Sequence, residues 1–181
     1  MHLCICASFS NRMIIALGLL FSIYKLRSVS ASFPDGRRDF APGPPAQLGN
    51  ISTPAFVQTG DNVMIGGFIA QGTGAKRVII RAIGPELTHY GVPDPLANPR
   101  LELHNAAGAL IGSNDDWQHT IIGGVITRTQ VADIQNSGHA PTDPSESAII
   151  AELQPGNYTA IVRGVNDTTG VGLVEVYDLD Q

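Results

Sequence analysis

Three adjacent oxygen-bearing side chains, Asn114, Asp115 and Asp116, form the most suggestive polar cluster in the sequence. Ca²⁺ takes roughly six to eight oxygen ligands from carboxylates and carbonyl groups, so the cluster predicts a Ca²⁺ site. The spacing fits no EF-hand loop, and the alternative is a loop whose Asn and Asp side chains hydrogen-bond to their own backbone. Further carboxylates could join the site if the fold brings them close. These are Asp143, Glu146, Asp178 and Asp180.

Aromatic side chains offer a second kind of chemistry, because a flat ring can stack against a sugar. Trp117 and Tyr90 are the candidates for such a stacking platform, and Tyr158 and Tyr177 could extend it. Aromatic residues make up only 6% of the chain, so burial of Trp117 and Tyr158 in a core is the alternative. Exposed rings would favour a carbohydrate-binding module, whereas buried rings would remove that argument.

No catalytic constellation can be named from the sequence. A hydrolase triad needs a nucleophile on a sharp turn and a base oriented by a carboxylate. The sequence contains no Gly-x-Ser-x-Gly elbow, and His139 reads as a solvated loop residue. We therefore predict a non-catalytic protein that binds a partner. Ca²⁺ is its one candidate cofactor.

The charge distribution argues against nucleic acid as a partner. The whole chain carries a net charge of −5, and three of its basic residues, Arg12, Lys25 and Arg27, lie within the first 27 positions. A surface this acidic, with no basic stripe, repels phosphate backbones. Both cysteines, Cys4 and Cys6, also lie near the start, so the remainder can form neither a disulfide nor a thiolate metal site.

The first fifty residues resemble an export signal and a linker. A mostly apolar run from Met13 to Tyr24 follows Arg12 and precedes small residues ending at Ala31, which predicts a signal peptide over residues 1–31. The run is too short to span a bilayer comfortably, so we expect no membrane association beyond the export signal. An uncleaved anchor, or a true start at Met13, is the alternative. Residues 32–50 carry four prolines and three glycines and predict a linker, with a folded domain over 51–181.

Short apolar runs alternate with turn signals from Ile51 onward, and no βαβ alternation interrupts them. The pattern predicts an all-β fold, a β-sandwich of jelly-roll type with one short helix; a small closed barrel is the alternative. The eight predicted strands are Ala55–Gln58, Val63–Ala70, Arg77–Ile83, Arg100–His104, Ala109–Ser113, Ser147–Leu153, Asn157–Arg163 and Val171–Tyr177.

Local signals add detail to this fold. The pair Gly66-Gly67 predicts a bulge or sharp bend. A capping box in which Thr127 caps and Gln130 reaches back predicts the short helix, and Pro85–Tyr90 predicts a second helical turn. Strand alternation predicts six core residues, namely Leu101, Leu103, Ile149, Ile161, Val174 and Val176.

Two stretches, Pro99–Trp117 and Glu146–Asp178, carry a resemblance to a known family. The first reads as strand, glycine turn, strand and Asn-Asp-Asp loop, and the second as strand, Pro-Gly turn and a Tyr-bearing strand before the last one. This order resembles the bacterial pre-peptidase C-terminal domain, a non-catalytic β-sandwich attached to many secreted hydrolases, over about residues 99–178. The preceding part resembles an unassigned segment of exported bacterial proteins. The resemblance implies a secreted or cell-surface accessory domain that contacts a protein or polysaccharide surface.

Overall fold

The computed structural model describes residues 51–180, and this part of the chain is mostly β-strand. The signal peptide predicted over residues 1–31 and the linker predicted over 32–50 lie outside the described residues. The eight strands are β1 (Ile51–Val57), β2 (Met64–Ala70), β3 (Lys76–Ile83), β4 (Pro99–Asn105), β5 (Leu110–Asn114), β6 (Ser147–Leu153), β7 (Gly156–Gly164) and β8 (Gly170–Asp178).

The strands form two four-stranded antiparallel sheets. Sheet A has the order β1-β8-β3-β6 and sheet B the order β2-β7-β4-β5. The pairing is nested: the first strand pairs with the last in one sheet, and the second with the last but one in the other. This is the strand order of a jelly roll, so the predicted all-β sandwich is confirmed, and the closed-barrel alternative is wrong.

The main core lies between the two sheets. Five of the six predicted core residues are buried there, at 3% exposure or less: Leu101, Leu103, Ile149, Val174 and Val176. The prediction for Ile161 is wrong, since this side chain is half-buried on the outer face of sheet B, opposite Ile65. Its neighbours Ala160 and Val162 face the core instead. Both faces of β7 carry apolar side chains, so alternation alone did not indicate the inner one.

The bulge predicted at Gly66-Gly67 is also wrong. The register between β2 and β7 runs without a shift from Met64 to Ala70. Gly66 is required for a different reason, because a Cβ atom there would lie 2.9 Å from Cγ1 of Val174 in the opposite sheet. The glycine allows the two sheets to approach closely at this point.

The helical segments are short. The helical turn predicted at Pro85–Tyr90 is confirmed as a 3-10 helix, a second 3-10 segment spans Val165–Asp167, and α1 spans Val131–Asn136. The predicted capping box is wrong, because the side chain of Gln130 turns away from α1 and hydrogen-bonds to β6. None of the helices within residues 51–180 is long and apolar enough to cross a membrane.

A long connection, residues 115–146, joins β5 to β6 and includes α1. It covers the outer face of sheet A at β3 and β6, where Trp117 and Ile134 pack against Ile79, Ala148 and Ile150 in a second apolar cluster. The half of this face formed by β1 and β8 carries Phe56, which is 49% exposed. The long connection therefore makes the sandwich asymmetric.

Candidate functional site

Asn114 is buried at the end of β5, with an exposure of 3%. Its Nδ2 donates hydrogen bonds to the carbonyl oxygens of Asp116, at 3.2 Å, and His119, at 2.8 Å. Its Oδ1 accepts a hydrogen bond of 3.2 Å from the backbone N–H of Ala148. The amide group of Asn114 thus fastens the start of the long connection to β6.

The other carboxylates proposed as calcium ligands bind different groups. Asp143 Oδ1 accepts from the backbone N–H of Ser145, and Asp178 lies 3.7 Å from Lys76 Nζ. Asp115 and Asp116 are half-buried. Within residues 51–180, no three carboxylate, histidine or cysteine side chains are grouped so that they could hold a metal ion. Calcium at Asn114–Asp116 stays a prediction, to be tested by comparing melting temperatures in Ca²⁺ and in EDTA.

Trp117 is a core residue rather than a stacking platform. It is 5% exposed, and its Nε1 donates a hydrogen bond of 3.0 Å to the carbonyl oxygen of Asp143. The stacking role predicted for Trp117 is therefore wrong, because the face of its ring is not available to a ligand. Tyr90 differs, since its side chain is 73% exposed at the end of the 3-10 helix.

Three residues in or next to the long connection form hydrogen bonds with the backbone of β6 or of Glu146, the residue before it. They are Asn114, Trp117 and Gln130. The backbone N–H of Trp117 donates to Glu146 O at 2.8 Å, and Ala148 N–H donates to Asn114. Gln130 binds both backbone groups of Ile150: Oε1 accepts from the N–H at 3.0 Å, and Nε2 donates to the carbonyl at 2.5 Å. A side-chain carboxamide here replaces the peptide group of a neighbouring strand. No local sequence signal pointed to this role.

Glu146 is a fully buried carboxylic acid that the sequence analysis considered only as a calcium ligand. Its exposure is 0%, and its Oε1 accepts hydrogen bonds from the backbone N–H groups of Gly84, at 3.1 Å, and Glu86, at 2.9 Å. Its Oε2 has no hydrogen-bond partner within residues 51–180. Burial raises the pKa of Glu146 to about 7, and the charges of Glu86 and Asp143 act in the same direction. The side chain holds the start of the 3-10 helix against β6.

A second polar cluster lies on the outer face of sheet A. Arg81 donates from Nε to Glu175 at 3.0 Å and from Nη1 to the carbonyl oxygen of His139 at 2.9 Å. Tyr177 Oη donates to the same carboxylate at 2.9 Å, and the His139 ring stacks on the Tyr177 ring with centroids 4.2 Å apart. His139 lies in a loop, as predicted, but its ring is half-buried against Tyr177 rather than fully solvated.

The charges in this cluster are matched. Burial lowers the pKa of Arg81, but the adjacent Glu175 carboxylate outweighs that effect and raises it. Burial, together with Glu175, raises the pKa of Tyr177, so the phenol stays protonated and donates its hydrogen bond. Glu175 is thus ion-paired with Arg81 and hydrogen-bonded to Tyr177. The cluster therefore fastens the long connection at His139 to sheet A.

An open polar surface lies on the outer face of sheet B. Glu102 has three cationic or titratable neighbours there: Arg100 Nε at 3.6 Å, Arg163 Nε at 3.7 Å and His104 Nε2 at 3.5 Å. The side chains of Arg100 and Arg163 are 46% and 40% exposed, and half-buried Ile161 lies beside them. We call these five residues the sheet B face.

The two surface depressions beside α1 are small and polar. Arg77 and Asp133 line both of them, with Arg77 Nη2 3.8 Å from Asp133 Oδ1. Arg128 Nη2 lies 2.7 Å from the other oxygen of the same carboxylate. These groups are already paired with one another, so the depressions offer little to a small ligand.

Comparison with known proteins gives a single kind of match. No model of a protein family matches the chain, and no curated protein sequence matches it. Among solved structures, the chain is similar to the pre-peptidase C-terminal domain of collagenase from Bacillus anthracis, with 16% identity and a TM-score of 0.38. The match covers 71% of this chain and 89% of that chain. The fold of this chain is defined by its own strand order, described above.

Proposed function

We propose that this protein is a non-catalytic accessory domain of an exported bacterial protein, which contacts a partner through its surface. The observation that carries the proposal is that the buried polar side chains bind groups of the protein itself. Asn114, Gln130 and Glu146 bind backbone groups, and Arg81 neutralises Glu175. Each holds one part of the fold against another instead of converging on a reacting group. A contact surface accounts for this arrangement better than a catalytic centre does.

The sheet B face is the surface that best fits a protein partner. Half-buried Ile161 lies beside the exposed guanidinium groups of Arg100 and Arg163. Arginine is enriched at the energetic centres of protein interfaces, and apolar side chains with a polar rim form their usual anatomy. An antiparallel sheet also presents these side chains on a rigid base.

The test uses the immobilised full chain to capture proteins from the culture medium of the producing bacterium. The Arg100→Glu, Arg163→Glu double variant should lose a protein that the wild type retains, since it reverses both exposed charges. Ile122→Asp is the matched control, because Ile122 is 65% exposed in the long connection and is not one of the five residues of the sheet B face. Retention by all three baits would contradict a role for the sheet B face. Hydrolase activity in the purified chain would contradict the non-catalytic assignment.

The exposure of Tyr90 favours one alternative, a carbohydrate-binding module. With Trp117 buried, Tyr90 is the one of the two predicted stacking residues whose ring remains open. Retention on insoluble polysaccharides that Tyr90→Ala abolishes would support this function. Phe56→Ala is the control, since Phe56 is an exposed ring on sheet A.

A further inference from the structure

The sandwich has four edge strands, β1 and β6 in sheet A and β2 and β5 in sheet B. The free side of an edge strand exposes N–H and C=O groups that can pair with another strand. Natural proteins block such edges with proline, charged side chains, bulges or covering segments. The four edges of this protein are not blocked equally.

Three of the edges carry a block. Gln130 and Asn114 bind the backbone of β6. At β5, the backbone N–H of Val125 donates to Ile111 O at 2.8 Å, and the register with β4 shifts after Leu103. In β1, Pro54 removes one backbone donor.

The fourth edge, β2, carries none of these devices. Its sequence, MIGGFIA, has no proline and no charged residue, and its register with β7 is unbroken. Within residues 51–180, its backbone hydrogen bonds go to β7 and to no other element. Ile65 on its outer side is 41% exposed. An unblocked apolar edge of this kind is a template for strand addition.

We propose that β2 pairs antiparallel with β2 of a second copy of the chain, which joins two B sheets into one continuous sheet. A strand that pairs with itself about a two-fold axis needs no second sequence, and the register centred on Gly67 is self-complementary. Ile65 then lies opposite Ile69, a β-branched pair that stabilises antiparallel sheets. Gly66 lies opposite Phe68, so a small residue faces a large one. No like charges meet, because β2 carries none.

Sedimentation velocity on the full chain gives the first measurement. We expect a dimer of twice the 19.1 kDa chain mass at micromolar concentrations. Ile65→Lys, which places a charge on the edge while leaving the core untouched, should weaken the dimer at least tenfold. Ile122→Lys is the control at an exposed isoleucine away from β2 and should leave the dimer intact. A monomeric wild type overturns the proposal, as does a dimer that Ile65→Lys does not weaken.

Hydrogen exchange of the β2 amides identifies the occupant of the edge. Pairing with a second copy makes their protection rise with protein concentration. The β2 amides that bond to β7 are protected at every concentration. If the amides on the free side are also protected at concentrations where the protein is monomeric, another segment of the same chain occupies the edge, and the proposal is overturned. Neither measurement involves the sheet B face partner, so failure of this inference and failure of the proposed function are distinguishable.

Discussion

The carboxyl group of Glu146 lies fully buried between β6 and the 3-10 helix Pro85–Tyr90, with a pKa raised to about 7 from an ordinary value of 4.5. Between these two values, the folded protein binds more protons than the unfolded chain. The free energy of unfolding therefore falls as pH rises through this window, because a buried charge must form. Stability supplied by the protonated group is present below pH 4.5 and lost as pH passes 7.

We expect Glu146→Gln to flatten this pH dependence. Gln keeps the oxygen that accepts from Gly84 and Glu86 but cannot ionise. The wild type should lose up to about 3 kcal/mol more stability than the variant between pH 5 and pH 8, as measured by urea melts. Glu152→Gln, at an exposed position on β6, should behave as the wild type. Equal slopes for Glu146→Gln and the wild type would show that another group is responsible.

Leu103 tests the main core. It is 0% exposed between the sheets, so Leu103→Ala should lower the free energy of unfolding by about 2–5 kcal/mol through lost transfer energy and a cavity. Leu110→Ala, at a position 53% exposed, should change it by no more than about 0.5 kcal/mol. A similar small change at Leu103 would mean that β4 does not pack as described.

Residue type indicated which candidate site residues are unusual, but not whether they are buried. Asn114 and Trp117 are both buried, and the stacking role predicted for Trp117 assumed that its ring faces solvent. Their burial depends on residues 115–146 folding back over β6, a contact between distant parts of the chain. Local sequence patterns carry no signal for such a contact.

At the scale of elements, Gln130 links α1 to β6. Gln130→Ala would leave the N–H and C=O of Ile150 without partners in a buried setting, which should cost about 1–3 kcal/mol in urea melts. Gln135→Ala, at an exposed position on the same helix, is the control and should have little effect. If both variants melt alike, water replaces the carboxamide and β6 does not depend on it.

The sequence predicted the elements more successfully than their ends and faces. Alternating side chains and turn residues located all eight strands, because both are local properties of the chain. The capping box failed because the side chain of Gln130 hydrogen-bonds to the backbone of Ile150 instead of to the helix N-terminus. The inner face of β7 was misassigned at Ile161 because packing between sheets, rather than apolarity, decides which side is buried.

At the scale of the whole molecule, the two lateral sides of the sandwich differ. Contacts between the sheets bring β5 beside β6 and β1 beside β2. The long connection closes the first side, whereas β1 and β2 are edge strands at the second. Strand count and the lack of βαβ alternation favoured a jelly roll, but nothing local indicated which side the connection would cover.

The pairing of β1 with β8 has a mechanical consequence. Ile51 lies opposite Val176, so the first described strand starts where the last one ends. Force applied to these two ends would separate β1 from β8 in the unzipping geometry, in which the hydrogen bonds break one after another. In the shear geometry, many hydrogen bonds would have to break together. We expect single-molecule stretching to unfold the domain at low force, and a disulfide engineered between the facing positions by Ser52→Cys and Glu175→Cys to raise that force. If tension acts on the domain through these two ends, the domain would unfold at low force. The released chain would then lengthen the connection while other folded domains under the same tension stay intact.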